Sequence, residues 1–257
     1  MLYPLKFNPI LKEMIWGGSR IAEELKLTER KLSKIGENFV LSGLSNDLSV
    51  VSEGELKGTT LKELIDTYQH ELLGKKVYDA FGNNFPLLIK FIDANDDLSI
   101  QVHPNDKLAK EKHNSFGKTE MWYVVDTEKD STLISGFTKQ TNAAEFEQMS
   151  RDKQLMSLMK IHSTHSGDVF FIPAGKVHSI GKGNLIAEIQ QTSDVTYRIH
   201  DFDRVDANGK SRELHHALAM DAMNFTDASS GKVDYSLKET GVVNLATCNY
   251  FTTNMYP

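Results

Sequence analysis

The chain has 257 residues, enough for one large domain or for one domain and part of a second. Hydrophobic residues make up 40% and charged residues 25%, the balance of an ordinary globular protein. The formal net charge of -6 argues against a general binder of nucleic acid or anionic membrane, so any phosphate must be met by a local basic pocket.

The single cysteine, Cys248, excludes an intrachain disulfide and a cysteine metal cluster and is compatible with a reducing compartment. Charges and prolines interrupt the first 18 residues, which therefore lack the apolar core of a signal peptide. No apolar run approaches the roughly 20 residues needed to cross a bilayer. The expected location is the cytoplasm.

In chain order, a short helix is expected at Ser19–Leu27. A longer one is expected at Leu61–Leu73, where Leu61, Leu64, Ile65, Tyr68 and Leu72 form one apolar face. Thr60 and Glu63 are spaced as a capping box, and Gly74 is placed to end the helix. Strands follow at Leu87–Ile92 and Leu98–His103, then a helix at Asp106–Lys112 and a strand at Met121–Val125. A helix over Ala143–Ile161 would turn Phe146, Met149, Leu155, Leu158 and Met159 toward the core. Strands at Val169–Ile172, Leu185–Gln190 and Val195–Ile199 precede a last helix at Glu213–Met220. Many short strands separated by Gly, Pro, Asn and Asp, with few helices between them, predict a β-barrel or jelly roll, not a wound α/β sheet.

Alternation within the strand Leu98–His103 puts Leu98, Ile100 and Val102 on one face and Ser99, Gln101 and His103 on the other. This suits a barrel wall with a polar interior, at which Gln101 and His103 both aim. Glu120, at the start of an apolar strand, and His178, just after a Pro/Gly turn, are further candidate ligands. One amide oxygen, two imidazoles and one carboxylate suit a divalent first-row ion, zinc above all. A single anionic ligand leaves such an ion Lewis-acidic toward a substrate. His113, His162, His165, His200, His215 and His216 are rival ligands, although neighbours on a helix such as His215 and His216 do not converge. In an extended stretch from Asp194, Arg198 shares a face with Asp194 and Thr196, and Lys118 projects to the same side as Glu120.

Four stretches in this order are highly specific together: Gln101-Val-His-Pro104, Gly117-Lys-Thr-Glu-Met-Trp122, Ile172-Pro-Ala-Gly-Lys-Val-His-Ser179 and Tyr197-Arg-Ile-His-Asp-Phe-Asp-Arg204. With Trp16-Gly-Gly18, Gly36-Glu-Asn-Phe39 and Phe85-Pro-Leu-Leu-Ile-Lys-Phe-Ile-Asp-Ala94, they resemble the type I mannose-6-phosphate isomerase family in its compact bacterial form. The resemblance runs from about Tyr3 to Phe225. It implies a mainly-β cupin barrel, a double-stranded β-helix or jelly roll with a few peripheral helices. It also implies one zinc per chain, held by Gln101, His103, Glu120 and His178, with Arg198 and Lys118 as active-site cations. The implied reaction interconverts mannose 6-phosphate and fructose 6-phosphate by proton transfer through an enediol(ate).

For the phosphate, Lys90, Lys176, Arg204 and Lys210 are the candidates, and Trp16 is placed to line the mouth of the site. Lys118, a metal-bound water, Glu188 and Asp203 remain open as the general base. The only partner expected is the sugar phosphate, with no nucleic acid or membrane. Two departures from the family pattern stand out. Phe39 occupies a usual Trp position, and a catalytic domain over 1–237 is followed, at 238–257, by only the start of a second cupin-like β-domain. A non-catalytic sugar-binding cupin and an iron or manganese oxygenase are the rival readings.

Overall fold

A computed structural model describes residues 2–23, 26, 34–206, 208–236 and 241–256. The chain enters through β1 (Ile10–Gly18), α1 (Arg20–Glu23) and β2 (Ile35–Ser42). Three short helices, α2 (Leu61–Tyr68), α3 (His70–Leu73) and α4 (Lys75–Phe81), lead into β3 (Leu87–Asp93) and β4 (Ile100–Val102). Next come α5 (Asp106–His113), β5 (Glu120–Thr127), β6 (Thr132–Phe137), α6 (Ala143–Arg151), a 3-10 turn at Leu155–Leu158 and β7 (Met159–Ser163). The strands β8 (Val169–Ile172), β9 (His178–Ile180), β10 (Asn184–Gln191) and β11 (Tyr197–His200) close the barrel. They are followed by α7 (His216–Ala222) and the hairpin of β12 (Val243–Thr247) and β13 (Thr252–Met255).

The strands form a six-stranded sheet ordered β1-β2-β3-β10-β5-β8 and a five-stranded sheet ordered β11-β4-β9-β6-β7. Every pairing in them is antiparallel. The two sheets meet through Ile92, Trp122, Val124, Phe170 and Ile186 of one and Leu133 and Ile180 of the other, all buried in one apolar cluster. This is the jelly-roll barrel of the cupin fold, as expected. The outer face of the five-stranded sheet (Ile100, Val102, Ile134, Phe137, Tyr197, Ile199) is covered by Phe146, Leu155, Leu158 and Ala219 from the helical segments. The opposite outer face receives the C-terminal hairpin, whose Leu245, Ala246 and Phe251 pack with Met121 and Val169. Residues 241–256 are therefore one hairpin laid on the barrel; the expected boundary at 237/238 lies outside the described residues.

Several local expectations are corrected. The capping box holds, with the Glu63 N–H donating to Thr60 Oγ1 and the Thr60 N–H to Glu63 Oε2. The helix it starts, however, breaks at Gln69, which has φ +47, and resumes as α3 before Gly74 at φ +78. The helix expected over Ala143–Ile161 ends at Arg151, and Lys153 turns the chain at φ +56. Met159 and Ile161 instead pair with Phe137 and Ile134 as strand β7. Both patterns bury the same apolar residues, and the edge of β6 decides between them. Of the segment Ser19–Leu27, Arg20–Glu23 is helical; most of the remainder lies outside the described residues. Among the described residues no helix is long and apolar enough to cross a membrane.

Candidate metal centre

Gln101 lies at the middle of β4, directly opposite His178 on one side and Arg198 on the other. Three candidate site residues thus sit abreast on neighbouring strands of one sheet. Glu120 opens β5 in the other sheet, and its inward turn brings Oε1 to 3.4 Å from His178 Nε2 and Oε2 to 3.6 Å from His103 Nε2. The candidate ligand atoms of these three residues all lie within 4.8 Å of one another. All three side chains are buried.

Both rings are oriented from behind. His103 Nδ1 lies 2.9 Å from the Val195 carbonyl, and His178 Nδ1 lies 2.9 Å from the Lys176 carbonyl. Each Nδ1–H is therefore spent on a carbonyl, and each Nε2 presents a lone pair toward Glu120. Burial, reinforced by Lys118, holds His103 well below the ordinary imidazole range. Burial likewise takes His178 down to about 4 against the pull of its carbonyl contact. Both imidazoles are thus neutral at pH 7 and free to accept a metal at Nε2. Burial and the nearby Glu188 push Glu120 up to about 8 against Lys118. His103 Nε2, His178 Nε2 and Glu120 Oε2 are buried with no hydrogen-bond partner. Each such orphan costs about 1–3 kcal/mol, and a single cation among them satisfies all three. The donor set therefore fits a divalent metal, and Gln101 lines the adjoining cavity.

That cavity has a volume of about 410 Å³ and runs through the barrel interior. Its wall includes Trp16, Gln101, Lys118, Glu188, Asp194 and Arg198. Lys118 Nζ lies 3.4 Å from Glu120 and 4.0 Å from Glu188. Glu188 also accepts from Trp122 Nε1 at 2.8 Å. Burial works against its charge, but Lys90 and Lys118 outweigh it and hold the carboxyl below its usual range.

The residues expected at the phosphate separate. Lys90 lines the cavity but is locked between Glu37 at 2.7 Å and Glu188 at 3.1 Å. Burial opposes its charge, and the two carboxylates more than restore it, leaving the amine above the ordinary lysine range. Lys176 is not part of the cavity wall; its amine is consumed by Asp227 at 2.7 Å and by Ser229. Arg204 also lies off the wall, tied to Asp96 and Asp201. Lys210 sits on an exposed turn closed by Asp206, and Asp203, also exposed, at φ +54.

None of the rival histidines joins the ligand cluster among the described residues. His113 contacts the Tyr197 hydroxyl, and His215 Nδ1 accepts from the Arg198 amide. Several charged wall residues carry no signal in the sequence, Lys12, Glu37, Asp47 and Arg212 among them. Arg212 lies in an irregular stretch with no periodicity to assign it a face, so only its charge could have drawn notice.

Arg212 Nε donates to Asp201 Oδ2 at 2.8 Å, and its Nη2 reaches the other oxygen. Burial raises the Asp201 pKa, but Arg212 and then Arg204 lower it further, so it lies below the ordinary carboxylate value. Stability contributed by Asp201 is therefore present above its unfolded pKa of about 3.9 and lost as pH falls through the folded value. Asp201→Asn is expected to lower stability at pH 7 and to flatten the acid limb of a urea-midpoint profile below pH about 4. A limb of unchanged steepness would contradict this.

A cupin barrel in which two neutral imidazoles and a carboxylate converge beside a charged cavity has the donor set of a metallocupin. Comparison with known proteins narrows the class. Residues 4–149 match phosphomannose isomerase type I, catalytic domain. Mannose-6-phosphate isomerase ManA of Bacillus subtilis is 38% identical over 256 residues, which cover 98% of this chain and 79% of that protein. The mannose-6-phosphate isomerase of Streptococcus mutans is 35% identical over 257 residues, with 98% and 78% covered. The crystal structure of a Bacillus subtilis mannose 6-phosphate isomerase superposes with a TM-score of 0.87 at 34% identity, over 98% of this chain and 79% of that one. The chain belongs to the type I phosphomannose isomerase family of enzymes.

Proposed function

We propose that the protein interconverts mannose 6-phosphate and fructose 6-phosphate, with a zinc ion held by His103, His178, Glu120 and Gln101. The observation that carries this is the set of orphaned, buried donor atoms on His103, His178 and Glu120, beside a cavity that Gln101 and Lys118 line. Two histidines, a carboxylate and an amide suit zinc among divalent ions. A bound zinc supplies Lewis acidity toward the oxygens at C1 and C2.

The chain's own groups provide the rest. Aldose–ketose isomerisation moves a proton between C2 and C1 through an enediolate, so negative charge develops on the neighbouring oxygens. Lys118, held beside Glu120 at the cavity wall, donates to those oxygens and exchanges a proton with them. Arg198 donates one Nη1–H to the Glu213 carbonyl at 2.8 Å, while its Nε has no partner. Among the described residues it has no carboxylate partner, unlike Lys90, Lys118 and Arg212. Its uncompensated charge faces the cavity and stabilises the enediolate. Arg212, paired with Asp201, stands on the same wall, so Arg198 is the guanidinium left to attract an anionic substrate.

The test is to measure the metal content of the purified chain and the formation of fructose 6-phosphate with and without chelator. Near one zinc per chain and chelator-sensitive turnover are expected. Arg198→Ala should lower turnover far more than metal content. Oxygen consumption, or sugar binding without turnover, would overturn the assignment.

A further inference from the structure

Lys118 and Glu120 stand on the short run of chain that enters β5, and three consecutive amides of that run are each held by a different acceptor. The Gly117 N–H donates to Asp106 Oδ1 at 2.9 Å, the Lys118 N–H to the Pro104 carbonyl at 3.1 Å, and the Thr119 N–H to Gln191 Oε1 at 2.8 Å. The other end of the Gln191 side chain donates from Nε2 to the same Asp106 Oδ1 at 2.9 Å. Asp106 and Gln191 thus form one continuous bracket that grips the backbone on both sides of Lys118. The bracket continues outward, because Tyr250, in the turn of the β12–β13 hairpin, donates its hydroxyl to Asp106 Oδ2 at 2.6 Å.

The fit has no slack. A Cβ on Gly117 would stand 2.5 Å from the Asp106 nitrogen, so the two segments are in backbone contact. The ladder between β5 and β10 begins only at the Glu120–Gln190 pair. One further backbone bond reaches the entry run, from the Gln191 N–H to the Thr119 carbonyl at 3.1 Å. Gln191 is therefore bonded to Thr119 through both its backbone and its side chain, and Asp106 holds that side chain in place. Burial alone would raise the Asp106 pKa, but donation from Tyr250, Gly117 and Gln191 outweighs it and keeps the carboxylate ionised.

We propose that Asp106, Gln191 and Tyr250 are positioning residues that hold the Lys118 amine in place against Glu120, so that the C-terminal hairpin contributes to turnover. The proposal rests on the isomerase reading above for its catalytic part, and not for its structural part. A lysine side chain has four rotatable bonds, so only its backbone anchor and its two carboxylate neighbours define where the amine sits. A shift of about 1 Å in a reacting group lowers rates by about a hundredfold.

The test uses the full chain loaded with zinc, comparing Gln191→Met and Tyr250→Phe with the parent. Gln191→Met is expected to lower kcat about tenfold or more, with KM within about twofold and zinc content unchanged. Tyr250→Phe removes one hydrogen bond to a charged group and should lower kcat by a smaller factor, about two- to fivefold. The readout specific to positioning is residue-resolved hydrogen exchange at the Lys118 amide. Its own acceptor, Pro104, is intact in both variants, yet its exchange should quicken in both. Unchanged kcat with unchanged Lys118 exchange would overturn the proposal, as would loss of zinc in parallel with kcat. If Gln191→Met does not fold, Tyr250→Phe decides alone by the same two measurements. If the parent chain does not isomerise the sugar phosphate while Lys118 exchange still quickens, the isomerase reading fails and the bracket stands.

Discussion

Glu120→Gln is expected to abolish turnover and metal retention together. Glu120 is the single anionic member of the ligand cluster and faces both imidazoles, at 3.4 Å and 3.6 Å. The substitution keeps size and shape but removes the charge that binds a dication in a buried site. Turnover should fall by about a hundred- to a thousandfold, the range in which removal of a principal electrostatic stabiliser acts. Metal content should fall with it, and His178→Ala should behave in the same way. The free protein should respond oppositely. Without metal, Glu120 is a buried carboxylate whose pKa is pushed up to about 8 by burial and Glu188, so replacing it with an amide removes an unfavourable group. Metal-stripped Glu120→Gln should therefore be at least as stable to urea as the metal-stripped parent, whereas the zinc-supplemented parent should be the more stable of the two. A variant that keeps both its zinc and its activity would refute the assignment of the centre.

Lys90→Met is expected to produce the largest loss of stability of any single substitution at the cavity wall. The Lys90 amine is buried between Glu37 and Glu188, whose side chains are 10% and 3% exposed. The apolar stem of methionine fills much the same volume, so no large cavity is made. What is lost is the positive charge between two buried carboxylates. Breaking a buried ion pair by removing one partner costs about 3–5 kcal/mol, because the remaining charge is left uncompensated. Urea unfolding should show a loss in that range. Lys62→Met, which breaks the exposed pair with Asp66, should leave stability nearly unchanged. Equal effects of the two substitutions would mean that the buried network contributes little.

The buried cluster of His103, Glu120 and His178 was legible in the sequence because local rules suffice to aim its members. Strand alternation puts Gln101 and His103 on one face, and the same period of two puts Lys118 and Glu120 on one face. The Pro/Gly turn before His178 announces a chain reversal at a barrel rim. The four motifs in order then identified the family, and with it the cupin barrel. Roles that depend on a distant partner were not legible. Lys90, Lys176 and Arg204 look alike as isolated basic residues. Their partners decide that the first is a buried structural cation, the second is tied to Asp227, and the third shares Asp201 off the cavity wall. Arg212 reaches the cavity from a segment with no periodic pattern at all.

The same division runs through the fold. Composition, turn residues and strand alternation determined a barrel, and the side-chain periods determined which faces look inward, because these depend on backbone geometry within a few residues. Tertiary structure alone decided that Met159–Ser163 is a strand at the edge of β6. It alone brought Glu37 to Lys90 across 53 residues and Tyr250 to Asp106 across 144. Such pairings depend on which strands become neighbours when apolar faces are buried, and no local period in the chain encodes the partner.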